Sequence, residues 1–389
     1  MKLIFFANTD WYLYNFCMST AMQLRRQGHE VVMLSPPGPF GERFAAHGFR
    51  WIQLAMDRAS LNPLREAATL SRLMSIFRQE QPDLLHNYTM KCVVYGALVA
   101  RLARVPAVVN AVAGMGYVFT SDALKARLLR PLVKMLMRMT LSDHRSLLIL
   151  QNPDDVKSFT DAGLILPERI RLIRGTGVDT IMFRPASPPL HAQGRLRVLL
   201  AARLLWEKGI REFAEAAALL RQWGHDVECL LAGSPDPGNP HSVPEEQVRQ
   251  WVDAGLIRWL GHVDDMPGLL NTVHVMALPS YYREGVPKSL LEGAACGLAL
   301  ITTNRPGCRE VVSKDGVDGL HTETQNAMSL AKCIARLDND RGLLAQLGQR
   351  ARQKVLREFD ERAVIQKTID VYGELTVPYA GATASRSAS

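Results

Sequence analysis

Two carboxylates eight positions apart, Glu284 and Glu292, carry the clearest chemistry in the sequence. Glu284 follows a predicted strand, and Glu292 lies inside the helix that begins just after it. One carboxylate can therefore reach one end of a bound ligand while the other reaches a different part of it. The residues that open the helix add backbone groups suited to an anion, because free amides at a helix N-terminus attract negative charge. The free amides are those of Gly285, Val286 and Lys288, and Pro287, which has no N–H group, suits the first helical turn. The alternative interpretation is a capped helix with two surface carboxylates.

Two cations bracket a second loop that opens a helix. Arg203 and Lys208 follow the first predicted strand after a proline-rich break in the chain. Fixed cations at this position would neutralise a pyrophosphate group that departs during a transfer reaction. The alternative is a solvated loop with two surface cations. The presence of the Glu284–Glu292 segment in the same half of the chain favours a phosphate site instead.

The first of these segments, 278–297, resembles the Glu-x7-Glu signature of glycosyltransferase family 4, whose members have the GT-B fold. Leu-Pro-Ser precedes the signature, and Gly297 followed by Ile-Thr-Thr comes after it, as is typical of the family. The resemblance implies that Glu284 contacts the transferred sugar and that Glu292 hydrogen-bonds the nucleotide ribose. It also implies that the loop amides between them bind the sugar and the diphosphate.

The second segment, 201–210, is similar to the family's Gly-Arg-x4-Lys-Gly motif, which binds the donor phosphates. Ala202 stands where the family usually has glycine. The resemblance implies that Arg203 and Lys208 bind the diphosphate of a nucleotide-sugar donor.

Two shorter segments of the second half also resemble the family. Residues 260–263 are similar to a Leu-Gly-x-Val turn, in which the backbone around His262 and Val263 reads the edge of the nucleobase. The alternative for His262 is a plain surface residue. Gly307–Glu310 resembles a neighbouring loop of the family, and the sequence assigns it no role.

The first half indicates the subgroup. Segments 8–16 and 110–119 look like those of the bacterial capsule and O-antigen branch of the family. Gly114 and Gly116 in the second of these segments would allow a close backbone approach to sugar or phosphate. A plain turn is the alternative.

Candidate acceptor-binding residues lie at the ends of early strands. Many family members carry a histidine near position 113 that touches the donor sugar, and this chain has Ala113 there. A histidine at the end of a neighbouring strand would substitute for it, although such a residue is more often structural. The candidates are Asp10, Trp11, Tyr12 and His86.

Parallel strands are needed to position these loops. Short apolar runs alternate with longer amphipathic segments, the pattern of a parallel sheet covered on both faces. Predicted strands cover 2–7, 30–34, 83–86, 107–110, 147–151, 197–201, 227–232, 257–260, 273–278 and 299–303. Predicted helices cover 12–27, 63–80, 91–104, 123–142, 210–223, 245–254, 287–296, 327–337 and 342–359.

This α/β pattern predicts two Rossmann-like domains facing across a central cleft, which is the GT-B arrangement that the resemblance also implies. Residues 1–182 form the acceptor-binding domain, 183–194 a linker and 195–359 the nucleotide-sugar domain. A helix at 360–375 is a candidate to pack back on the first domain, and 376–389 is expected to be disordered.

The composition is that of an ordinary globular chain, with 389 residues, 47% of them apolar and 22% charged. It excludes a disulfide mini-protein, a disordered chain and a fibrous repeat. No run reaches the roughly 18 apolar residues of a membrane-spanning helix. The six cysteines are scattered singly, as in reduced cytosolic proteins. A net charge of +8 favours anionic partners such as phosphates.

Positive charge is concentrated in one predicted helix, 123–142, which contains no acidic residue. Basic side chains interleaved with leucine and methionine suit an anionic membrane surface. The alternative is a core helix with a solvated cationic face. The cations are Lys125, Arg127, Arg130, Lys134 and Arg138.

Several other classes of protein are poorly supported. Asp338-Asn339-Asp340 matches an Asp-x-Asp metal motif but falls between two predicted helices, so we expect a helix boundary and no metal site. No Gly-x-Gly-x-x-Gly follows the first strand, and neither a P-loop nor a nucleophile elbow is present. The basic stripe lacks the interleaved aromatic residues typical of nucleic-acid binding.

The sequence therefore predicts a retaining, metal-independent glycosyltransferase without a cofactor. We expect it to move a hexose or N-acetylhexosamine from a UDP-sugar to a lipid-linked or saccharide acceptor in capsule or O-antigen synthesis. Its expected location is the cytoplasmic face of the cell membrane, as a peripheral protein. Two alternatives stay open: a nucleotide-sugar epimerase on the same fold, and a catalytically silent, membrane-associated scaffold.

Overall fold

The computed structural model describes residues 1–57, 60, 62–112, 124–186, 194–236 and 239–376, without the side chains of 124–129 and 132. The chain divides into two compact units. Unit 1 contains Met1–Thr176 and the chain from Val364 onward, and unit 2 contains Gly177–Ala363. This boundary precedes the predicted linker, of which 187–193 lie outside the described residues, as does the predicted disordered tail from residue 377.

Unit 1 is built on parallel strands. They are β1 (Lys2–Phe6), β2 (Glu30–Ser35), β3 (Arg50–Gln53), β4 (Leu84–Tyr88), β5 (Ala107–Val112), β6 (Ser146–Leu150) and β7 (Ile170–Leu172). In the described part of the unit they form a seven-stranded sheet in the order β3-β2-β1-β4-β5-β6-β7. Leu3 and Phe5 of β1 face one core, and Ile4 and Phe6 face the other. Because both faces are covered, the strand reads as a continuous apolar run.

Helices cover both faces of this sheet. They are α1 (Asp10–Tyr12), α2 (Met18–Arg26), α3 (Arg43–Ala46), α4 (Pro63–Glu80), α5 (Met90–Ala103), α6 (Leu124–Leu141) and α7 (Pro153–Asp161). The helix predicted at 63–80 has those bounds. The one predicted at 12–27 begins earlier and includes a π-helical stretch, Leu13–Cys17, between α1 and α2. Strands β3 and β7 were not predicted, because they are short edge strands with few buried residues.

Unit 2 repeats the plan with a second parallel sheet. Its strands are β8 (Leu196–Ala201), β9 (Val227–Ala232), β10 (Arg258–Trp259), β11 (Val275–Leu278), β12 (Ala299–Thr303) and β13 (Leu320–Thr322). Their order is β10-β9-β8-β11-β12-β13 among the described residues. Val198 and Leu200 of β8 enter one core cluster, and Leu199 and Ala201 enter the other. Every strand predicted for this half is present, and β13 was not predicted.

The helices of unit 2 follow the predicted pattern closely. They are α8 (Ile210–Gln222), α9 (Glu245–Asp253), α10 (Met266–Leu270), α11 (Lys288–Ala295), α12 (Cys308–Val311), α13 (Ala327–Asn339) and α14 (Arg341–Glu358). Asp265 caps α10 by accepting a hydrogen bond from the Gly268 amide at 2.9 Å, as expected of an N-cap residue. Gly297 follows α11 in a left-handed conformation, with φ at 80°, as is common for a glycine just after the end of a helix.

The last described helix, α15 (Glu361–Thr376), returns the chain to unit 1. Val364, Val371 and Tyr372 are buried in a core cluster of that unit. The Tyr372 hydroxyl lies 2.6 Å from Nδ1 of His86 on β4. The helix predicted at 360–375 therefore completes the core of the first unit.

Candidate active site

The predicted donor residues lie at one edge of the unit 2 sheet. Lys208 is in the loop after β8, and Glu284 is in the loop after the neighbouring strand β11. Because the two strands are parallel, their carboxyl ends meet at the same edge. Residues 76 positions apart in the sequence are thus brought into contact.

Lys208 and Glu284 form an ion pair with little solvent contact. The Lys208 ammonium lies 2.5 Å from Oε1 of Glu284, and both side chains are largely buried. The Ser280 hydroxyl donates to the same Oε1 at 2.8 Å. Ser280 was not predicted as a site residue, although it belongs to the Leu-Pro-Ser that precedes the loop.

Main-chain contacts hold the two loops together. The Tyr281 amide donates to the Glu207 carbonyl at 3.0 Å. Gly209, with φ at 79°, packs so tightly that an added Cβ would lie 2.4 Å from the Pro279 carbonyl oxygen. Only glycine fits both this conformation and this approach. The Lys-Gly pair of the motif therefore serves two purposes, a cation in the site and a contact point for the second loop.

The segment Gly307–Glu310, to which the sequence assigned no role, supports the loop that carries Glu284. A Cβ at Gly307 would lie 1.9 Å from the Gly285 carbonyl oxygen and 2.6 Å from that of Glu284. Gly307 has φ at 82°, so its replacement would strain the backbone as well. Its role is structural, and the missed signal is a glycine directly before a short helix.

Arg203 is half exposed and pairs with an acidic residue that was not predicted. Its Nη1 donates to Oδ2 of Asp236 at 2.8 Å. Asp236 is held in turn by the Asn239 side-chain amide at 3.2 Å and by the Ser242 hydroxyl, which accepts from the Asp236 amide at 2.9 Å. The partner lies 33 positions away in an irregular loop, so no sequence spacing pointed to it.

Glu292 is on α11, eight positions after Glu284 along the chain. Burial raises the pKa of its carboxyl to about 7, and the nearby Lys288 ammonium opposes part of this shift. Pro287 precedes the helix, which begins at Lys288. The amides of the first turn thus lie directly after Gly285 and Val286, as the predicted anion site requires.

The predicted nucleobase turn follows β10. The Gly233 amide donates to the Gly261 carbonyl at 2.7 Å, which ties this turn to the loop after β9. The His262 side chain is exposed, and its Nε2 lies 3.5 Å from Asp264. Val263 is partly buried against a core cluster. Its backbone role stays a prediction.

The Asp-x-Asp segment has structural partners. Asp338 contacts His225 Nδ1 at 2.7 Å and Arg341, and Asp340 caps α14 through the Leu343 amide at 2.8 Å. Asp338 and Asp340 therefore mark a helix boundary, as the sequence predicted. In the part of the chain that the structure describes, no group of three or more histidine, cysteine, aspartate or glutamate side chains is arranged to hold a metal ion.

In unit 1 the predicted acceptor residue Asp10 is part of the fold. Its carboxylate accepts from the Trp11 amide at 2.7 Å, the Phe40 amide at 2.6 Å and the Gly41 amide at 2.9 Å. The side chain is 4% exposed. It clamps the start of α1 to the segment after β2, and its role toward an acceptor stays a prediction.

The other predicted acceptor residues are mostly buried. His86 was expected at a strand end, but β4 continues to Tyr88, and His86 is 1% exposed between the hydroxyls of Tyr88 and Tyr372. Burial lowers its pKa to about 3, so it is neutral at physiological pH. Tyr12 packs on Tyr88, and Trp11 is partly exposed. Gly114 and Gly116 lie outside the described residues.

The basic helix is α6. The part of it whose side chains are described has one buried face and one exposed face. Met137 and Leu141 are fully buried, whereas Met135 and Met139 are about half exposed. Arg138 donates to the carbonyls of Ala162 and Gly163 at the end of α7. The structure therefore supports a core role for one face of the helix and leaves the other for solvent. None of the described helices has both the length and the apolar character to cross a membrane.

The remaining cations of α6 are described unequally. Arg130 and Lys134 are partly buried, and Lys125 and Arg127 lie where side chains are outside the described part.

Both halves match family models. Residues 2–152 match the model for glycosyl transferase 4-like domains, and residues 195–340 match the model for glycosyl transferases group 1. Each half of the chain is therefore similar to a glycosyltransferase domain family, in agreement with the resemblance that the two motifs indicated.

Individual relatives extend over most of the chain. It is similar to the N,N'-diacetylbacillosaminyl-diphospho-undecaprenol alpha-1,3-N-acetylgalactosaminyltransferase of Campylobacter jejuni, with 28% identity over 96% of this chain and 98% of that protein. It is also similar to the UDP-Gal:alpha-D-GlcNAc-diphosphoundecaprenol alpha-1,3-galactosyltransferase of Escherichia coli, with 25% identity over 82% of each chain.

Solved structures establish the fold. HepE from Anabaena, in complex with UDP and glucose, has a TM-score of 0.78 and 19% identity over 96% of this chain and 99% of that one. Sucrose-phosphate synthase from Thermosynechococcus elongatus has a TM-score of 0.78 and 19% identity over 97% and 100%. The two Rossmann-like domains confirm the predicted GT-B fold.

Proposed function

We propose that this protein transfers a sugar, with retention of anomeric configuration, from a nucleotide diphosphate donor to a lipid-linked saccharide. The observation that carries the proposal is the Lys208–Glu284 pair, 2.5 Å apart at the carboxyl edge of the unit 2 sheet. It joins the two segments whose motifs resemble the donor site of the family. A cation for the leaving diphosphate thus lies beside a carboxylate for the moving sugar.

The proposed chemistry rests on charge. As the bond between sugar and diphosphate breaks, negative charge grows on the diphosphate, and Lys208 and Arg203 stabilise it most strongly at that moment. The amides that begin α11 add a further anion-binding group. Because these groups together neutralise the diphosphate, we propose that no divalent ion is required, and transfer should survive a chelator.

The names of similar proteins support the substrate class. The two relatives act on sugars joined to diphosphoundecaprenol, and one of them is named for UDP-Gal. The HepE structure contains UDP. We therefore propose a UDP-hexose or UDP-N-acetylhexosamine as donor and a polyprenyl-diphosphate saccharide as acceptor, in the synthesis of capsule or O-antigen polysaccharide.

Such an acceptor stays in the bilayer, so we propose that the protein acts as a peripheral protein on the inner face of the cell membrane. The half-exposed Met135 and Met139 of α6, next to Lys134, support contact between unit 1 and an anionic surface. Arg138 is engaged by α7 and is left out of this surface.

The deciding experiment has two stages. Thermal shift should first rank UDP above GDP and dTDP, because a ligand at 100-fold its dissociation constant stabilises by about 2.7 kcal/mol. UDP-galactose and UDP-N-acetylgalactosamine are then incubated with and without a diphosphoundecaprenol-linked sugar. Elongation of the acceptor supports transfer. Conversion of the donor alone would instead indicate the epimerase, and no nucleotide shift at all would indicate the scaffold.

A further inference from the structure

One buried hydroxyl lies at the centre of the unit 2 site and has no role in the donor chemistry described so far. Ser280 is fully buried, and its Oγ lies 2.8 Å from Oε1 of Glu284 and 3.0 Å from the Glu207 carbonyl oxygen. A hydroxyl has one proton, so it donates to only one of these acceptors at a time. The charged carboxylate makes the stronger hydrogen bond.

The Ser280 backbone is fixed from the neighbouring strand. The Thr303 hydroxyl donates to the Ser280 carbonyl at 2.5 Å, and Thr302 donates to the Leu278 carbonyl at 2.7 Å. Thr302, Thr303 and Ser280 are all fully buried. The hydroxyl that meets Glu284 is thus attached to a rigid part of the sheet edge, whereas Lys208 reaches Glu284 through a flexible four-carbon side chain.

The two donors to Oε1 of Glu284 differ in whether they must move when a ligand binds. Under the proposed function, Lys208 must turn toward the diphosphate and so weaken its contact with Glu284. Ser280 has no such second task, because it is buried and faces no solvent. The contact of Ser280 with Oε1 can therefore persist when the contact of Lys208 with the same oxygen weakens.

We infer that Ser280 is a positioning residue, which holds Glu284 in place for the transferred sugar while Lys208 is engaged by the diphosphate. This inference rests on the proposed function and names a residue to which the donor motifs give no role. It places the effect of Ser280 in turnover and leaves donor affinity to the cations and to Glu292.

The test is a double-mutant cycle measured by single-turnover transfer with enzyme in excess. Ser280→Ala should lower the transfer rate about tenfold, the effect of one lost hydrogen bond to a charged group, while the dissociation constant for UDP stays within twofold. In a Glu284→Ala background the same change should have no further effect, because its target is gone.

Two other variants separate positioning from a loss of folding. Ser280→Cys leaves no cavity but replaces the hydroxyl with a slightly larger thiol, a weak donor, so it should lose rate like Ser280→Ala even if the alanine variant is unstable. Thr180→Val removes another buried hydroxyl of unit 2, which donates to Oδ2 of Asp360 at 2.5 Å and is not part of the donor site. It should lower the melting temperature and leave the transfer rate within twofold.

The results distinguish this inference from the proposed function. Unchanged rates in Ser280→Ala and Ser280→Cys would overturn the inference, as would a tenfold loss that persists in the Glu284→Ala background. A Glu284→Ala variant that transfers sugar at the wild-type rate would instead overturn the proposed site itself.

Discussion

Asp10, at the start of α1 in unit 1, and Glu284, in the loop after β11 in unit 2, are both buried carboxylates near the carboxyl edges of parallel sheets, yet they have different partners. Asp10 accepts three main-chain amides, and Glu284 accepts from the side chains of Lys208 and Ser280. Amides cannot leave without unfolding the loop, whereas a lysine side chain can rotate. The three amide contacts of Asp10 therefore belong to the fold, whereas the Lys208 contact of Glu284 can be exchanged for a ligand.

The largest expected effect is on the rate of transfer, when Lys208, the exchangeable partner of Glu284, is removed. Lys208→Ala should lower transfer by about 10²–10³, because a fixed cation acts most strongly on the charge that develops in the transition state. Steady-state transfer from a UDP-sugar measures it. Lys332→Ala, at an exposed lysine of the same unit, is the matched control. A Lys208→Ala rate within twofold of wild type would remove this residue from the site.

The complementary change is Asp10→Ala, which removes the carboxylate that accepts from main-chain amides. It leaves three amides without their acceptor, so the free energy of unfolding of unit 1 should fall by about 3 kcal/mol. Calorimetry should show this loss, while the dissociation constant for UDP stays that of the wild type. Weaker nucleotide binding by a variant that remains folded would contradict the structural assignment of Asp10.

The next prediction concerns Glu292, whose carboxyl has a pKa raised by burial. Burial raises the pKa of its carboxyl from 4.5 to about 7, so the folded state is penalised when the group ionises. The free energy of unfolding should therefore fall as the pH rises through this range. Glu292→Gln should be the more stable protein at pH 8, by roughly 2 kcal/mol after allowance for partial exposure.

The check is the melting temperature of the two proteins at pH 4 and pH 8, with Glu246→Gln as an exposed control. The difference between Glu292→Gln and wild type should vanish at pH 4, where both side chains are neutral. A stabilisation that is equal at the two pH values would show that ionisation is not its cause.

The smallest effect concerns the exposed face of α6. Lys134→Gln should weaken binding to anionic vesicles about fivefold, since one cation near such a surface contributes about 1 kcal/mol. Vesicle sedimentation at low and high salt measures it, with Lys157→Gln on α7 as the control. Wild-type protein that ignores anionic vesicles at low salt would show that α6 serves the core alone.

The sheets and the donor loops could be predicted because their signals are local. Buried strands read as apolar runs, and Lys208, Gly209, Glu284 and Glu292 occur at fixed spacings within single segments. Edge strands such as β7 escaped because only one of their residues is buried. The fold, and the similarity to glycosyltransferases, were thus within reach of the sequence.

The partners of these residues were not predictable, because the tertiary fold alone brings them together. Asp236 meets Arg203 across 33 positions, and Tyr372 meets His86 across 286. In unit 1 Asp10 was chosen from a general resemblance of segment 8–16 and His86 from its place in a predicted strand, and the structure buries both residues. A residue type without a recurring loop around it is weak evidence for a site.

The return of α15 to unit 1 has a consequence for synthesis on the ribosome. Unit 2 is one continuous stretch, Gly177–Ala363, so it can acquire all its parts while the chain is still being made. Unit 1 begins to emerge first but lacks Val371 and Tyr372 until the last described helix has been translated. Until then His86 and its neighbours face an unfilled groove. The half of the protein that is made first is therefore the half that is finished last.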